Sequence, residues 1–486
     1  MRQSRVALVL LSTVALVAAG CARPVVYDPV VSLPRGQSEI TVPIASAGNY
    51  LFARVSVNGG DGGHFLIDTG SPCNAVDRKL AGRLGLPTLR KGYASSAAGR
   101  RAATLRQVRT IHIGDVELGR HDVGSFDMAA MFEAFGVEAG GMLGSAFFRS
   151  APVTIDYRAK TMTVHDPARF EPPAGAWQGR VLLHGLRPYV EVTVNGTVTG
   201  WVLLDLGHGP AIWFNRSASV MGVAMPAGGW GAKRQLMGIG GPEQYCVGQL
   251  ESLDVLGRRF EGIEALFAGE GGSQPVSHAD MGILGNELLR DFRLTLDCRR
   301  GRVWAEWSPP ASVEELTARG ADLNAPDLGG NTLLHCAMGF RDTERAMALM
   351  NAGADVHVRN CLGKTPLAIA AEASAELVGA LLDRRANVRA RDRLGNTVLM
   401  YASRGGTPET VRLLLDRGAD VNARNDAGFT PLLIAVTSGG ADIVALLLDR
   451  GADVTAADKQ GRTATRLARE AGHRNVVDLL RKRGVR

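Results

Sequence analysis

Phe65-Leu66-Ile67-Asp68-Thr69-Gly70-Ser71 is the stretch from which the fold of this chain can be read. The apolar run reads as a buried strand with an acid at its end, and Gly70 lets the chain turn sharply and approach another backbone. A carboxylate delivered to the end of a core strand is costly to bury unless pairing or chemistry compensates for it. The chain supplies a second copy. Val55-Ser56-Val57-Asn58-Gly59 puts Asn58 as far before Asp68 as Val192-Thr193-Val194-Asn195-Gly196 puts Asn195 before Asp205. Asp205 itself lies in Trp201-Val202-Leu203-Leu204-Asp205-Leu206-Gly207-His208. The segments align without a gap, which predicts an internal duplication with one carboxylate per half.

A second signature recurs downstream, as Gly141-Met142-Leu143-Gly144 after Asp68 and as Gly282-Ile283-Leu284-Gly285 after Asp205, at nearly the same interval in each half. A strand pattern follows each, at Val153-Thr154-Ile155-Asp156-Tyr157 and Leu294-Thr295-Leu296-Asp297-Cys298. With Asp-Thr-Gly at 68–70, these paired and ordered motifs resemble the aspartic proteases, in particular the bacterial retropepsin-like families. The resemblance implies an all-β acid-protease barrel over residues 39–308, with halves at about 39–170 and 180–308. It also implies that Asp68 and Asp205 are the catalytic pair, supported by Thr69, Gly70, Ser71 and Gly207 in the two turns. Such carboxylates share a proton and titrate together; the ionised one activates a water and the protonated one donates to the scissile carbonyl, with no metal or cofactor. Two such turns in one chain make a monomer sufficient.

The second turn departs from the pattern. In the family each turn's Thr hydroxyl meets a backbone N–H of the opposite turn. Thr69 can still meet the N–H of Leu206, but Leu206 has no hydroxyl to return the bond, so half of the cross-brace is expected. His208 stands where the first turn has Ser71, and a titratable ring there could bias the pair or fill the cleft. The resemblance further places flaps at Tyr93–Gly99 and Leu236–Gly241. Gly59-Gly60-Asp61-Gly62-Gly63 opens no helix and reads as a hairpin turn. Arg78 to Leu86 reads as a short helix stopped by Gly85 and Pro87.

Ser308-Pro309-Pro310 marks a boundary, beyond which the chain is periodic. Thr332, Thr365, Thr397, Thr430 and Thr463 recur at a nearly constant interval. Gly-Ala-Asp at 320, 353, 418 and 451, and Arg385-Ala386-Asn387 in the middle copy, share the period. With Thr365-Pro366-Leu367, Thr430-Pro431-Leu432 and Leu333-Leu334-His335, residues 311–486 resemble ankyrin repeats. That implies an all-α solenoid whose units bury their apolar faces only against neighbours, with a protein partner on its surface. Thr463-Ala464-Thr465 drifts as an end cap should. Arg384, Arg385, Arg389, Arg391 and Arg393 gather at one hairpin and read as a solvated charged face.

Residues 1–20 read as a secretory leader, basic at Arg2 and Arg5 and then apolar to Val17. They end in Ala18-Ala19-Gly20-Cys21, which resembles a bacterial lipobox and makes Cys21 a lipidation site. Ala22 is not the Asp that holds many such proteins at the inner membrane. The expected place is therefore the bacterial cell envelope, facing the periplasm, with the outer membrane favoured. Residues 21–38, with Pro24, Pro29, Pro34 and Gly36, read as a tether. The net charge of +7 is small and scattered, which gives no argument for nucleic-acid binding. Six cysteines show no disulfide framework, Cys73 reads as buried packing, and the ten histidines show no metal-ligand spacing. The expected function is that of a membrane-anchored aspartic endopeptidase acting on a protein or peptide, the alternative a catalytically inactive envelope scaffold.

Overall fold

A computed structural model describes residues 28–484 apart from 97–98, 216–217, 219–222, 224–232, 239–240 and 269–279; of residues 1–27 it describes only the strand segments Leu8–Val9 and Ala15–Val17. The rest of the expected leader, Cys21 and the tips of both expected flaps lie outside the described residues. The chain divides into two compact units, with Ala7–Ala311 in one and Ser312–Arg486 in the other.

In the first unit, Tyr50–Val57 (β1) and Gly60–Ile67 (β2) form an antiparallel hairpin. Its turn is tighter than the five-residue reading: Asn58 and Gly59 both take left-handed φ, 52° and 82°, the two-residue geometry that suits a hairpin. Gly60 to Gly63 belong to the strand, with a bulge opposite Val55 and Ser56. The side-chain oxygen of Asn58 accepts from the amides of Arg109 and Thr110, and that of Asn195 accepts from Ser252. The residues flagged by their offset from each Asp therefore pin each hairpin to a neighbouring segment.

Ala75–Asp77 (β3) and Ala139–Leu143 (β4) complete the first core. β2 runs parallel to β4, with Phe65, Leu66 and Ile67 opposite Gly141, Met142 and Leu143, while β3 runs antiparallel to β4. The second half repeats this with Arg187–Val194 (β5), Val198–Leu204 (β6), Ile212–Phe214 (β7) and Asp280–Leu284 (β8). Val202, Leu203 and Leu204 stand opposite Gly282, Ile283 and Leu284, and β7 is again antiparallel to β8. Central strands covered on both faces need continuous apolar runs, and Phe65, Leu66, Ile67, Val202, Leu203 and Leu204 are all buried.

One antiparallel sheet belongs to both halves. Its order is Glu39–Ala47, Thr161–His165, Val153–Asp156, Phe292–Asp297, Arg302–Trp307, Trp177–Arg180. At its centre Thr154 faces Thr295, with the two hydroxyls 2.8 Å apart. Part of the expected tether is docked rather than free. Val31–Ser32 pairs with Val116–Leu118, and the Asp28 carboxylate neutralises the buried Arg149 guanidinium.

The second unit is helical. After Val313–Ala318 come five helix pairs, beginning Leu333–Gly339 with Thr343–Asn351 and ending Ala464–Glu470 with Arg474–Lys482. Thr332, Thr365, Thr397 and Thr430 each cap the first helix of a pair, the hydroxyl accepting the amide three residues on; Thr463 makes no such bond. Arg391 of the arginine cluster, with the arginines one repeat before and after it, ties repeats together. Arg359 donates to the Arg391 carbonyl, Arg391 to that of Arg424, and Arg424 to that of Ala457.

Candidate active site

Each aspartate is placed by the strand parallel to its own. The amide of Asp68 donates to the Leu143 carbonyl at 2.9 Å and that of Asp205 to the Leu284 carbonyl at 3.0 Å. Close packing explains the two Gly-x-x-Gly signatures. A side chain at Gly141 would strike the Ala75 carbonyl, and one at Gly282 the Trp213 carbonyl. Gly144 lies against the carbonyls of Ser71 and Cys73, and Gly285 against those of His208 and Pro210. Behind them, Ser145–Ser150 (α1) and Asn286–Leu289 (α2) begin, with the amides of Ser145 and Asn286 donating to Ser71 and His208 at 2.7 Å.

The two turns meet. Gly70 packs against the Asp205 carboxyl and Gly207 against that of Asp68, where neither could carry a side chain. Asp205 Oδ1 accepts from the amides of Gly70 at 3.1 Å and Gly207 at 2.8 Å, while Asp68 Oδ1 accepts from Ser71 at 3.0 Å. Thr69 Oγ1 donates to the Leu204 carbonyl at 2.6 Å and accepts from the Leu206 amide at 2.9 Å. Half of the cross-brace is thus present. Asn286 reinforces the side that Leu206 cannot, since its Nδ2 donates to the Leu206 carbonyl at 2.6 Å while Tyr157 Oη donates to its Oδ1 at 2.5 Å. Ser71, of the first turn, sends its hydroxyl to the Cys73 carbonyl.

Burial dominates the electrostatics. Asp68 and Asp205 are 2% and 0% exposed. Desolvation lifts Asp68 to about 6, held there by hydrogen bonds from Asp205, Ser71 and Gly70 and by the charge of Arg187. Asp205 is pushed well above the usual carboxylate range, first by burial and then by the charge of Asp68. Both carboxyls are raised, so the pair holds one proton between them and titrates as a unit. His208 is fully buried with neither ring nitrogen hydrogen-bonded among the described residues, and desolvation drives it down to about 3. It is neutral at any pH above that and adds no charge to the pair. Cys73 is buried and unpaired, its thiol pushed up to about 11 by desolvation, which makes it a packing residue. No group of three or more His, Cys, Asp or Glu residues among those described is arranged to hold a metal ion.

Three residues beside the pair escape the sequence reading. Tyr50 is buried against Gly209 of the second turn, its hydroxyl raised above the usual tyrosine range by burial and by Asp205. Arg187 is buried on the Asp68 side. Asn286 follows the second Gly-x-x-Gly. A signal for two of them is present, because Tyr50 and Arg187 stand at the same offset before the aspartate of their own half.

Comparison with known families agrees with this geometry. Residues 53–147 match the aspartyl protease family, a span that holds Asp68 and Gly141–Gly144. Residues 305–392, 333–425, 373–458 and 399–486 match ankyrin repeats. The chain therefore joins an aspartyl protease domain to an ankyrin array. Among curated proteins, it is 40% identical over 95 residues to the neurogenic locus Notch protein of Drosophila melanogaster, covering 19% of this chain and 4% of that one. It is 41% identical over 104 residues to protein PhlB of Serratia liquefaciens, covering 21% and 46%. Mouse neurogenic locus notch homolog protein 1 is 34% identical over 102 residues, covering 20% and 4%. The chain thus spans less than half the length of each of these relatives.

Proposed function

We propose that the protein is an aspartic endopeptidase whose catalytic pair, Asp68 and Asp205, is assembled within one chain. The observation that supports this most is the meeting of the two carboxyls between glycines, with Thr69 bonded to both Leu204 and Leu206 of the opposite turn. The ionised carboxylate of the pair takes a proton from a water; the hydroxide so formed attacks the scissile carbonyl carbon. The protonated carboxyl of the pair gives its proton to the carbonyl oxygen, producing a neutral tetrahedral diol. The carboxyl that took the water's proton then gives it to the departing nitrogen while the other takes a proton from a diol hydroxyl. The C–N bond breaks to leave a carboxylic acid and an amine, and the pair again holds one proton. In this reading Thr69, Gly70, Ser71 and Gly207 shape the turns that hold the two carboxyls.

The ankyrin array brings a protein partner or orients the protein substrate. Cys21 carries the lipid that holds the chain at the cell envelope, facing the periplasm. The deciding experiment incubates residues 22–486 with a mixed peptide library beside Asp68→Asn. Cleavage by the wild type and none by the variant is expected. A wild type inert towards every peptide in the library would move the molecule to a scaffold role.

A further inference from the structure

Two arginines are buried near the Asp68 turn, and their surroundings treat them differently. Arg149, 6% exposed, is neutralised by Asp28 and donates to the carbonyls of Pro72 and Leu186 and to the Ser145 hydroxyl. Arg187 is 4% exposed and has no ion pair and no hydrogen bond among the described residues. Its guanidinium carbon lies 6.0 Å from the centroid of the Tyr189 ring.

Equivalence between the halves fixes its place. Tyr50 opens β1 and Arg187 opens β5. Tyr50 meets the second turn at Gly209 and Asp205, and the charge of Arg187 falls on Asp68 in the first. One side of the pair thus carries a phenol and the other a cation. A guanidinium largely, though not wholly, withdrawn from water is costly to leave without an anion. Asp68 is a poor counter-ion, since its charge is already engaged by the Ser71 amide and shared with Asp205. The planar fork of an arginine instead suits a carboxylate brought from outside, which it can grip with two parallel bonds.

We propose that Arg187 is a specificity residue of the cleft, pairing with a carboxylate of the bound peptide on the Asp68 side of the scissile bond. The inference rests on the reading of Asp68 and Asp205 as the catalytic pair. The carboxylate belongs either to an acidic side chain or to the peptide's own C-terminus. No bond is made or broken by Arg187; it selects and holds.

The test uses end-capped peptides carrying Glu or Gln at each position in turn, and the same peptides with a free or amidated C-terminus. Cleavage by the wild type, Arg187→Gln, Arg187→Lys and Arg187→Tyr is followed; the last copies the residue of the other half. Binding of the same peptides is measured on Asp205→Asn with and without each change at 187. The wild type is expected to favour one acid over its amide by about 10-fold or more in KM, with kcat little changed. Arg187→Gln and Arg187→Tyr reduce that preference to within about twofold, and Arg187→Lys keeps part of it. The Glu and free-terminus arms reveal which carboxylate is gripped. An acid preference absent from the wild type, or surviving Arg187→Gln in protein that circular dichroism shows to be folded, overturns the proposal. No cleavage, together with an Arg187-dependent acid preference in binding, would instead sink the catalytic reading and leave the recognition site standing.

Discussion

At Thr69 one hydroxyl serves two partners in the opposite half. Thr69→Val keeps the shape but strands the buried Leu206 amide and Leu204 carbonyl, each worth about 1–3 kcal/mol when left unpaired. The midpoint of urea unfolding should fall accordingly, and cleavage with it. Leu206→Thr supplies the missing hydroxyl while giving up apolar burial at a fully buried site; these oppose each other, and stability should change by less than about 1.5 kcal/mol. Its activity should hold or rise, and a loss would show that Asn286 already does all the bracing that the second turn can use. The carboxyl pair also sets how stability varies with pH. Both groups bind protons more tightly folded than unfolded, so the native state is favoured fully below about pH 4, the unfolded value. That advantage is lost as the pH rises to about 6 and beyond. Asp205→Asn should therefore unfold at a higher temperature than the wild type at pH 7 and at nearly the same temperature at pH 3.5, while cleaving nothing. Cleavage by the wild type should be bell-shaped, falling on the acid side as the pair takes up its second proton and on the basic side as the shared proton leaves.

The helical elements show how a repeat can be read and where it misleads. Thr397 caps Val398–Gly405 by accepting the Met400 amide, so Thr397→Ala should cost about 1 kcal/mol in a thermal or urea melt; Thr463→Ala should cost almost nothing, since Thr463 makes no cap bond. Arg385 takes the left-handed φ, 63°, that Gly353, Gly418 and Gly451 take in the neighbouring copies. Arg385→Gly should relieve that strain and raise stability by about 1 kcal/mol. Both features are legible in the sequence because a cap and a left-handed corner are set by a few neighbouring residues. The same locality makes the Asp68 turn and both Gly-x-x-Gly segments readable. Arg187, Tyr50 and Asn286 escape such a reading because turns of the other half or a strand far along the chain give them their roles. The docking of Val31–Ser32 escapes it for the same reason: its partner, Val116–Leu118, lies far along the chain. The hairpin at Asn58-Gly59 is legible in place but reads too wide, since glycines that look like turn residues also serve a bulged strand.

On the scale of the whole molecule, a fragment from about residue 311 should fold alone with a helical circular-dichroism spectrum, and residues 22–310 should give a β spectrum; a C-terminal fragment that stays unfolded would count against nearest-neighbour stacking. Cys21→Ser should move the protein from the membrane to the soluble fraction, and a wild type already wholly soluble would end the lipobox reading. The sheet that holds Thr154 against Thr295 bears on something different, the order of the reaction in protein. Carboxyls supplied by two separate chains must find each other, and their activity per molecule declines on dilution below the dissociation constant. Here each half brings its strands to a common sheet on one covalent thread, so each carboxyl sees the other at a fixed effective concentration. Specific activity should stay level from micromolar to nanomolar protein. Such a molecule can work as a solitary copy, at an abundance where an enzyme built from two chains would be mostly apart.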